Sequence, residues 1–445
     1  MLNLFADSRP PRRRTVAAAG LALLASLGNL QAGLAARNKT DVDAKAAHPA
    51  AATSTCAPGL ILRQAKPDKP WDVVRNKEAL QTDDLLLGMP GARLQTTSGV
   101  ELIFLTDLDT SSPSTVKEAA IILHEPRGAD LSLTLDRGRV ALANRKDHGP
   151  ARVRLQVRDS AFELTLPEPN GSVALELNSG WLPGTSFQKN PGPGHAPFAE
   201  LVVIARKGTV NLKHGASTHA LQAPPGPALM EWDSVAGLDA SPHRLDKLPS
   251  WVATVTGAKA PAVESFRAAA VARGVEPALD QLLASDNEAD RGLAVVVLGA
   301  TDHLGGLAKL MTDVKRPHVW ESAVPVLRHW IGRGPGQDLR LYDALKTQGQ
   351  LTPAQGAIIL RLLHSFSEAH RAQPETYELL IDLLESEQPG IRGLAYWHLE
   401  RLAPAGRKLG YRPLAPKEEQ QQALEAWRKL IPAGHLPPRS VSSDR

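Results

Sequence analysis

The sequence predicts an α+β multidomain chain: an all-β module, of roll, sandwich or β-solenoid type, followed by an all-α solenoid. Three observations lead there. Between Trp71 and Leu248, short apolar runs alternate with polar residues and are separated by Gly, Pro and Asp. Successive strand side chains point to opposite faces, so a period of two marks half-buried strands. Beyond Lys247-Leu248-Pro249 the apolar residues recur at helical spacing instead. Finally, Leu279–Leu298 (LDQLLASDNEADRGLAVVVL) recurs at Leu380–Leu399 (LIDLLESEQPGIRGLAYWHL), with a constant offset of 101 and nine identities in twenty positions. A repeated helix–turn–helix unit cannot bury its apolar face alone, so it stacks on its neighbours as a solenoid.

Residues 1–36 read as a signal peptide or signal anchor. Arg9 to Arg14 supply a basic start, Val16–Leu30 is a mostly apolar run, and small residues follow at Ala32, Ala35 and Ala36. Fifteen apolar residues fall short of the about 20 that span a bilayer, which favours cleavage over anchoring. Residues 37–70 read as a disordered tether, rich in Ala, Pro, Ser and Thr, that buries too little surface to offset its ordering entropy. Cys56, the one cysteine, stands well past the apolar run and reads as a linker residue; alone it excludes an intramolecular disulfide and a cysteine metal cluster.

The β module is expected over 71–248. Its strands are read at Val100–Leu105, Ala119–Leu123, Leu131–Leu135, Arg139–Leu142, Val153–Val157, Ala161–Leu166, Val173–Leu177, Leu201–Ala205 and Thr209–Leu212. Asn190–Pro197 and Ala223–Pro227 read as rigid loops between strands. Trp181, with Phe187 and Phe198 nearby, reads as core, with a ligand groove as the lesser alternative.

Asp83-Asp84-Leu85-Leu86-Leu87-Gly88, then Gly91 to Thr96, then Val100 to Leu105, resemble the opening of a FecR-type domain. Two later steps fit the same pattern, Gly138-Arg139-Val140 and Gly208-Thr209-Val210, each a "G-x-V" entry into a strand. The resemblance spans about 150 residues and departs at Leu105–Asp109, where a longer loop replaces a compact turn. It implies an extracytoplasmic β fold. It does not extend to sigma-factor regulation, because the short stretch before the apolar run cannot hold a folded domain.

Over 249–436 the helices are read at Ala262–Arg273, Pro277–Ala284, Glu288–Gly299, Leu304–Thr312, His318–Ile331, Asp338–Gln348, Pro353–Phe366, Glu375–Glu385, Gly390–Leu402 and Lys417–Leu430. Thr352-Pro353 and Gln373-Pro374 are start signals, and Asp286 and Gln388 stand in turns. An offset of 101 exceeds twice a unit of about 40 residues, so intervening units are expected. Leu307–Met311 with Trp320–Leu327, and Leu339–Leu345 with Ile358–Leu363, supply them. The array resembles HEAT-like repeats, and Arg392–Leu436 resembles the closing segment of exported HEAT-like proteins of planctomycete-type bacteria. Residues 437–445 read as a disordered tail.

Composition narrows the function. The pI of 9.1 suggests nucleic acid, but residues 1–36 alone contribute +3 of the net +4. Residues 37–70 sum to +3, 71–248 to −3 and 249–445 to +1, so no basic domain remains and nucleic-acid binding is excluded. His303, His318, His329, His364, His370 and His398 lack the four-residue spacing by which one helix holds zinc. No nucleophile elbow, P-loop or dinucleotide fingerprint is present, and Gly192-Pro193-Gly194 lacks the strand–helix context of a phosphate cradle. Acid pairs such as Asp83/Asp84, Asp107/Asp109 and Glu418/Glu419 are common. Asp107 and Asp109 have the types to bind calcium but lack a third ligand or a glycine at the right offset and read as a solvated loop, and Glu418 to Gln422 read as solvating the last helix. Arg291 and its repeat equivalent Arg392 each follow a polar turn and are expected to bond turn carbonyls.

No catalytic, cofactor-binding or metal-ligating residue is therefore assigned, no cofactor is expected, and the binding residues are left open. The sequence is read as a non-enzymatic, exported, periplasmic or cell-envelope interaction or scaffolding protein, whose partner is a protein or an envelope polymer. The alternatives are a membrane-anchored sensor, held by Val16–Leu30, and a carbohydrate-binding or carbohydrate-processing β domain with an accessory solenoid. Converging carboxylates in the β domain would favour the last of these.

Overall fold

The computed structural model describes residues 50–54, 59–66, 69–89, 91–106, 117–192, 194–253, 261–312 and 319–438. Residues 1–36, read above as a signal peptide or anchor, Cys56, Asp107/Asp109, His318 and most of residues 437–445 lie outside them. The chain has a two-part α+β layout, a large mixed β region followed by a helical region.

The β region holds eighteen strands among the described residues. They are β1 (Ala50–Ser54), β2 (Ile61–Gln64), β3 (Asp72–Val74), β4 (Ala79–Gln81), β5 (Leu85–Gly88), β6 (Arg93–Gln95), β7 (Val100–Phe104), β8 (Ala119–His124), β9 (Leu131–Asn144), β10 (Ala151–Val157), β11 (Ser160–Leu166), β12 (Ser172–Gly180), β13 (Phe198–Lys207), β14 (Thr209–His214), β15 (Ser217–Gln222), β16 (Gly226–Asp233), β17 (Gly237–Leu238) and β18 (His243–Leu245). One sheet runs β4-β1-β6-β7-β9-β12-β13-β16, with β17 and β18 on the far side of β16, all antiparallel. The second runs β3-β2-β5-β8-β9-β10-β11-β14-β15, antiparallel except for the parallel pair β9/β10.

The two sheets close on one apolar core, to which Leu102, Phe104, Leu142, Leu175 and Val203 contribute from the first sheet and Leu86, Leu133, Leu155 and Leu164 from the second. β9 belongs to both. Residues expected as two strands form one, whose first half pairs with β8 and β10 and whose second half pairs with β7 and β12. Gly138 is the corner: its φ is +83°, the register opposite slips between Ala120 and Ile121, and a Cβ there would run into the Glu118 carbonyl. A bulge glycine of this kind bends a strand from one sheet to the next. Gly208 (φ +71°) does the same between β13 and β14. Both "G-x-V" steps are thus sheet crossings.

Two expectations are corrected. The segment from Ala50 to Gln64 is not tether: β1 pairs with β4 and β6, and β2 with β3 and β5. The apolar triplet Leu60-Ile61-Leu62 is fully buried, which offsets the ordering entropy that the surrounding composition suggested could not be offset. The β region therefore starts well before Trp71.

The helices are α1 (Ser250–Ala253), α2 (Pro261–Arg273), α3 (Val275–Ala284), α4 (Glu288–Ala300), α5 (Leu304–Leu310), α6 (Val319–Ile331), α7 (Gln337–Thr347), α8 (Pro353–His364), α9 (Glu368–Arg371), α10 (Pro374–Asp382), α11 (Pro389–Leu402) and α12 (Lys417–Leu430). The caps explain their ends. Asn287 accepts from Ala289 N–H at 2.8 Å to start α4, and Thr352 and Gln355 form a reciprocal capping box at α8. The expected pairs α3/α4, α5/α6, α7/α8 and α10/α11 are present, and α4, α6, α8 and α11 pack on one another as the inner layer. α1 is different: its Val252 lies in the β core and Trp251 packs against it.

The repeat extends to hydrogen bonding. Arg291 Nη1 donates to Ser285 O at 2.8 Å, and Arg392 Nη1 donates to Ser386 O at 2.6 Å. Arg392 adds bonds to Glu387 O and Pro413 O, tying the turn to the chain that leads into α12.

Candidate functional site

One end of the second sheet, β2, β5 and the start of β8, is covered on both faces, whereas β10, β11, β14 and β15 keep one face toward solvent. Leu60, Leu62, Trp71, Leu87, Met89 and Ala120 turn away from the β core and join the apolar core of the helices. This explains why LLLG in β5 and AAIIL in β8 do not alternate: both faces are covered.

At this seam the β region satisfies the free carbonyl ends of the inner helices. A helix leaves its last carbonyls without partners and carries partial negative charge there. At α4, Arg137 Nη2 donates to Ala300 O at 2.6 Å and the Trp71 indole N–H donates to Thr301 O at 2.9 Å. At α6, the Trp181 indole N–H donates to Ile331 O at 3.0 Å. At α8, Gly184 N–H donates to Ser365 O at 3.3 Å. Beside Trp181 the backbones meet directly: a Cβ on Gly332 would stand 2.5 Å from Gly180 Cα.

A buried charge cluster lies in the seam. Glu118, 5% exposed, contacts Arg333, Arg137 Nε at 3.2 Å and His329 Nε2 at 3.4 Å. Arg137 also pairs with Asp136, and Arg333 with Asp302 at 2.7 Å. Burial pushes the Glu118 carboxyl up, but Arg333, His329 and Arg137 together outweigh it and hold the group far below the usual carboxylate range.

The aromatics read as core or groove serve the seam. Trp181 lies against the His364 ring (centroids 4.9 Å) and Phe187 against Tyr342 (5.2 Å). Phe198 instead pairs across strands with Gly180. The histidines are scattered rather than gathered. His398 is buried like its repeat equivalent Val297, and its Nε2 lies 2.8 Å from Leu362 O. Burial, reinforced by Arg328, pushes its imidazole down to about 3.

The outer face of the first sheet carries two sites that single-strand reading missed. Register sets the first. Arg93 lies opposite Ile103, Glu101 opposite Ala143, Ala143 opposite Ser172, and Ser172 opposite Lys207. Small side chains therefore fall in the middle of the row Glu101–Ala143–Ser172–Lys207, and Arg93 stands at the margin in the adjacent row, opposite Ile103. The result is a depression of about 280 Å³ lined by Arg93, Ile103, Ala143, Arg145, Asn170, Ser172, Arg206 and Lys207. Arg145 donates to Glu101 Oε2 (2.6 and 2.8 Å) and to Asn170 Oδ1 (2.9 Å), and Arg93 reaches Glu101 Oε1 at 3.4 Å. One carboxylate thus serves two arginines. Among the described residues Arg206 and Lys207 form no ion pair, and the Arg206 Nε is buried with no hydrogen-bond acceptor. Burial, together with Arg145, pushes the Arg206 guanidinium below its usual value.

The second site lies at the opposite end of β13. Glu200 is opposite Asp233, while Glu231, Asp239 and His243 bring ligand atoms within 4.8 Å of one another, with His243 Nε2 2.8 Å from Asp239 Oδ2. Burial, then Glu231, Glu176, Asp233 and Asp239, pushes the Glu200 carboxyl up to about 7. A carboxyl poised there can give or take a proton near neutrality. Glu200 and Arg206 share a face because six residues is an even step along a strand. The two-residue spacing of Glu231 and Asp233 in β16 is legible in the sequence, but the strand order that sets Glu200 and Arg206 beside their partners is not.

No family model, no curated protein and no solved structure matches the chain.

Proposed function

We propose that the chain is an extracytoplasmic interaction or scaffolding protein, without catalytic activity of its own, that binds a protein or a cell-envelope polymer. In this reading the β region is a FecR-like module and the helices are a HEAT-like array. The observation that supports it is the seam. Two Trp indoles, an Arg and a backbone N–H from the β region hold the ends of three alternate helices, α4, α6 and α8, so the two parts present one fixed surface. Such rigidity suits a binder, because little ordering entropy is lost on association.

The test is recovery of a C-terminally tagged copy from its source cells, with sequencing of its N-terminus. A cleaved chain with one stoichiometric envelope partner supports the reading. An intact N-terminus in the membrane fraction replaces it with an anchored sensor. Among the described residues no helix is long and apolar enough to cross a membrane.

A second reading, a carbohydrate-processing β domain, is favoured by the carboxylates around Glu200. Hydrolysis of envelope glycans by the purified chain, lost in Glu200→Gln with the fold intact, would establish it.

A further inference from the structure

We propose that the cationic depression on the first sheet binds the carboxylate of an acidic sugar unit within an anionic glycan. This rests on the reading of the chain as an envelope-polymer binder and names the chemistry of that polymer.

Charge comes first. Arg93, Arg145, Arg206 and Lys207 line the depression, and Glu101 is the carboxylate that its arginines share. The site as a whole is strongly positive, although residues 71–248 sum to −3. Arg145 and Arg206 carry like charges that repel, and Glu101 offsets only part of that repulsion. An anion between them relieves that repulsion. Arginine forks match planar carboxylates with paired hydrogen bonds, a fit that lysine alone does not offer.

The floor selects the rest of the ligand. Ile103 and Ala143 form an apolar patch, with the Ser172 hydroxyl and the Asn170 side chain beside it. Asn170 Oδ1 is taken by Arg145, which leaves its amide N–H groups to donate. A free inorganic anion has no use for an apolar floor or for neutral donors. A pyranose uronate uses all three features: its C–H face lies on Ile103 and Ala143, its hydroxyls meet Ser172 and Asn170, and its carboxylate meets the arginines. The volume of about 280 Å³ lies just below the roughly 300–1,000 Å³ of small-molecule sites, which suits a single sugar unit. Lys207 and Asn170 at the rim are exposed, so a polymer can run past on either side.

The experiment measures binding of fluorescent tetra-galacturonate to the full chain by anisotropy at physiological salt. The expected result is one saturable site, weakened at least tenfold by Arg206→Gln and several-fold by Lys207→Ala, with Lys213→Ala unchanged. Lys207 is exposed, so its variant keeps the fold even if Arg206→Gln does not; melting temperatures check both. Equal affinity for the methyl-esterified oligomer overturns the proposal. So does competition by inorganic sulfate or poly-glutamate as effective as that by free oligogalacturonate, which would mark a general anion site. Absence of oligogalacturonate binding also overturns it. If the tagged chain still recovers a stoichiometric envelope partner, the scaffold reading stands and only this inference falls.

Discussion

Replacing Gly332 by alanine tests whether the β region and the helices are held as one body. The new methyl would stand 2.5 Å from Gly180 Cα and 3.1 Å from both Gly180 N and Ser179 O, all backbone atoms that cannot rotate away. Ordinary carbon contacts need about 3.5–4.0 Å, so the seam must open by about 1 Å. The Trp181 indole, next to Gly180, bonds to Ile331 O at 3.0 Å, next to Gly332, and the same opening carries that bond beyond useful range. Overpacking costs about 1–3 kcal/mol and the lost bond about 1 more, so the expected loss is roughly 2–4 kcal/mol. Urea unfolding followed by tryptophan fluorescence reads it, with an early transition from the loosened seam. Gly334→Ala is the control, since a Cβ there meets nothing within 4 Å. If Gly332→Ala shifts stability by less than about 0.5 kcal/mol, as expected for the control, the seam is not a rigid contact and the reasoning fails.

Four further outcomes are expected. Glu118→Gln leaves Arg137 and Arg333 buried with only Asp136 and Asp302 to balance them, which costs about 3 kcal/mol in chemical unfolding at pH 7. Glu118 is depressed in the folded chain, so its contribution is complete above its ordinary value of 4.5 and is lost as pH falls below it; Glu118→Gln should flatten that acid limb. His398 is held neutral, with its pKa lowered from 6.5 to about 3, so stability is lost as pH falls through that window, by about 1.4 kcal/mol per unit; the repeat-matched His398→Val should lessen the slope between pH 7 and 5. Arg392→Met should cost about 2 kcal/mol in thermal unfolding and Arg291→Met about 1, because the first strands three carbonyls and the second one.

Local signals are legible in the sequence. Helix α8 starts where Thr352-Pro353 predicts, and α12 matches its expected bounds at both ends, because capping and helical period are decided within a few residues. The strands from β10 to β14 were likewise found from alternation, with their ends extended by one to three residues. What escaped depends on distant chain segments meeting. β1 and β2 lie in a stretch of tether-like composition and become strands only through pairing with β4, β5 and β6. Trp71 and Trp181 looked like any aromatics until the helix ends they serve were in place. The cationic depression draws on five segments between Arg93 and Lys207, and no window of sequence contains it.

The capped helix ends also bear on how this gene can change. Repeat arrays commonly grow or shrink by duplicating or deleting a unit, because each unit meets only its neighbours. Here α4, α6 and α8 are each fastened at one end to a different point on the β region: Trp71 with Arg137, Trp181, and Gly184. A duplication between α4 and α8 would carry one fastening out of reach of its donor. On the reading of these helices as repeat units, copy number is fixed over that span, and further units fit only beyond α8.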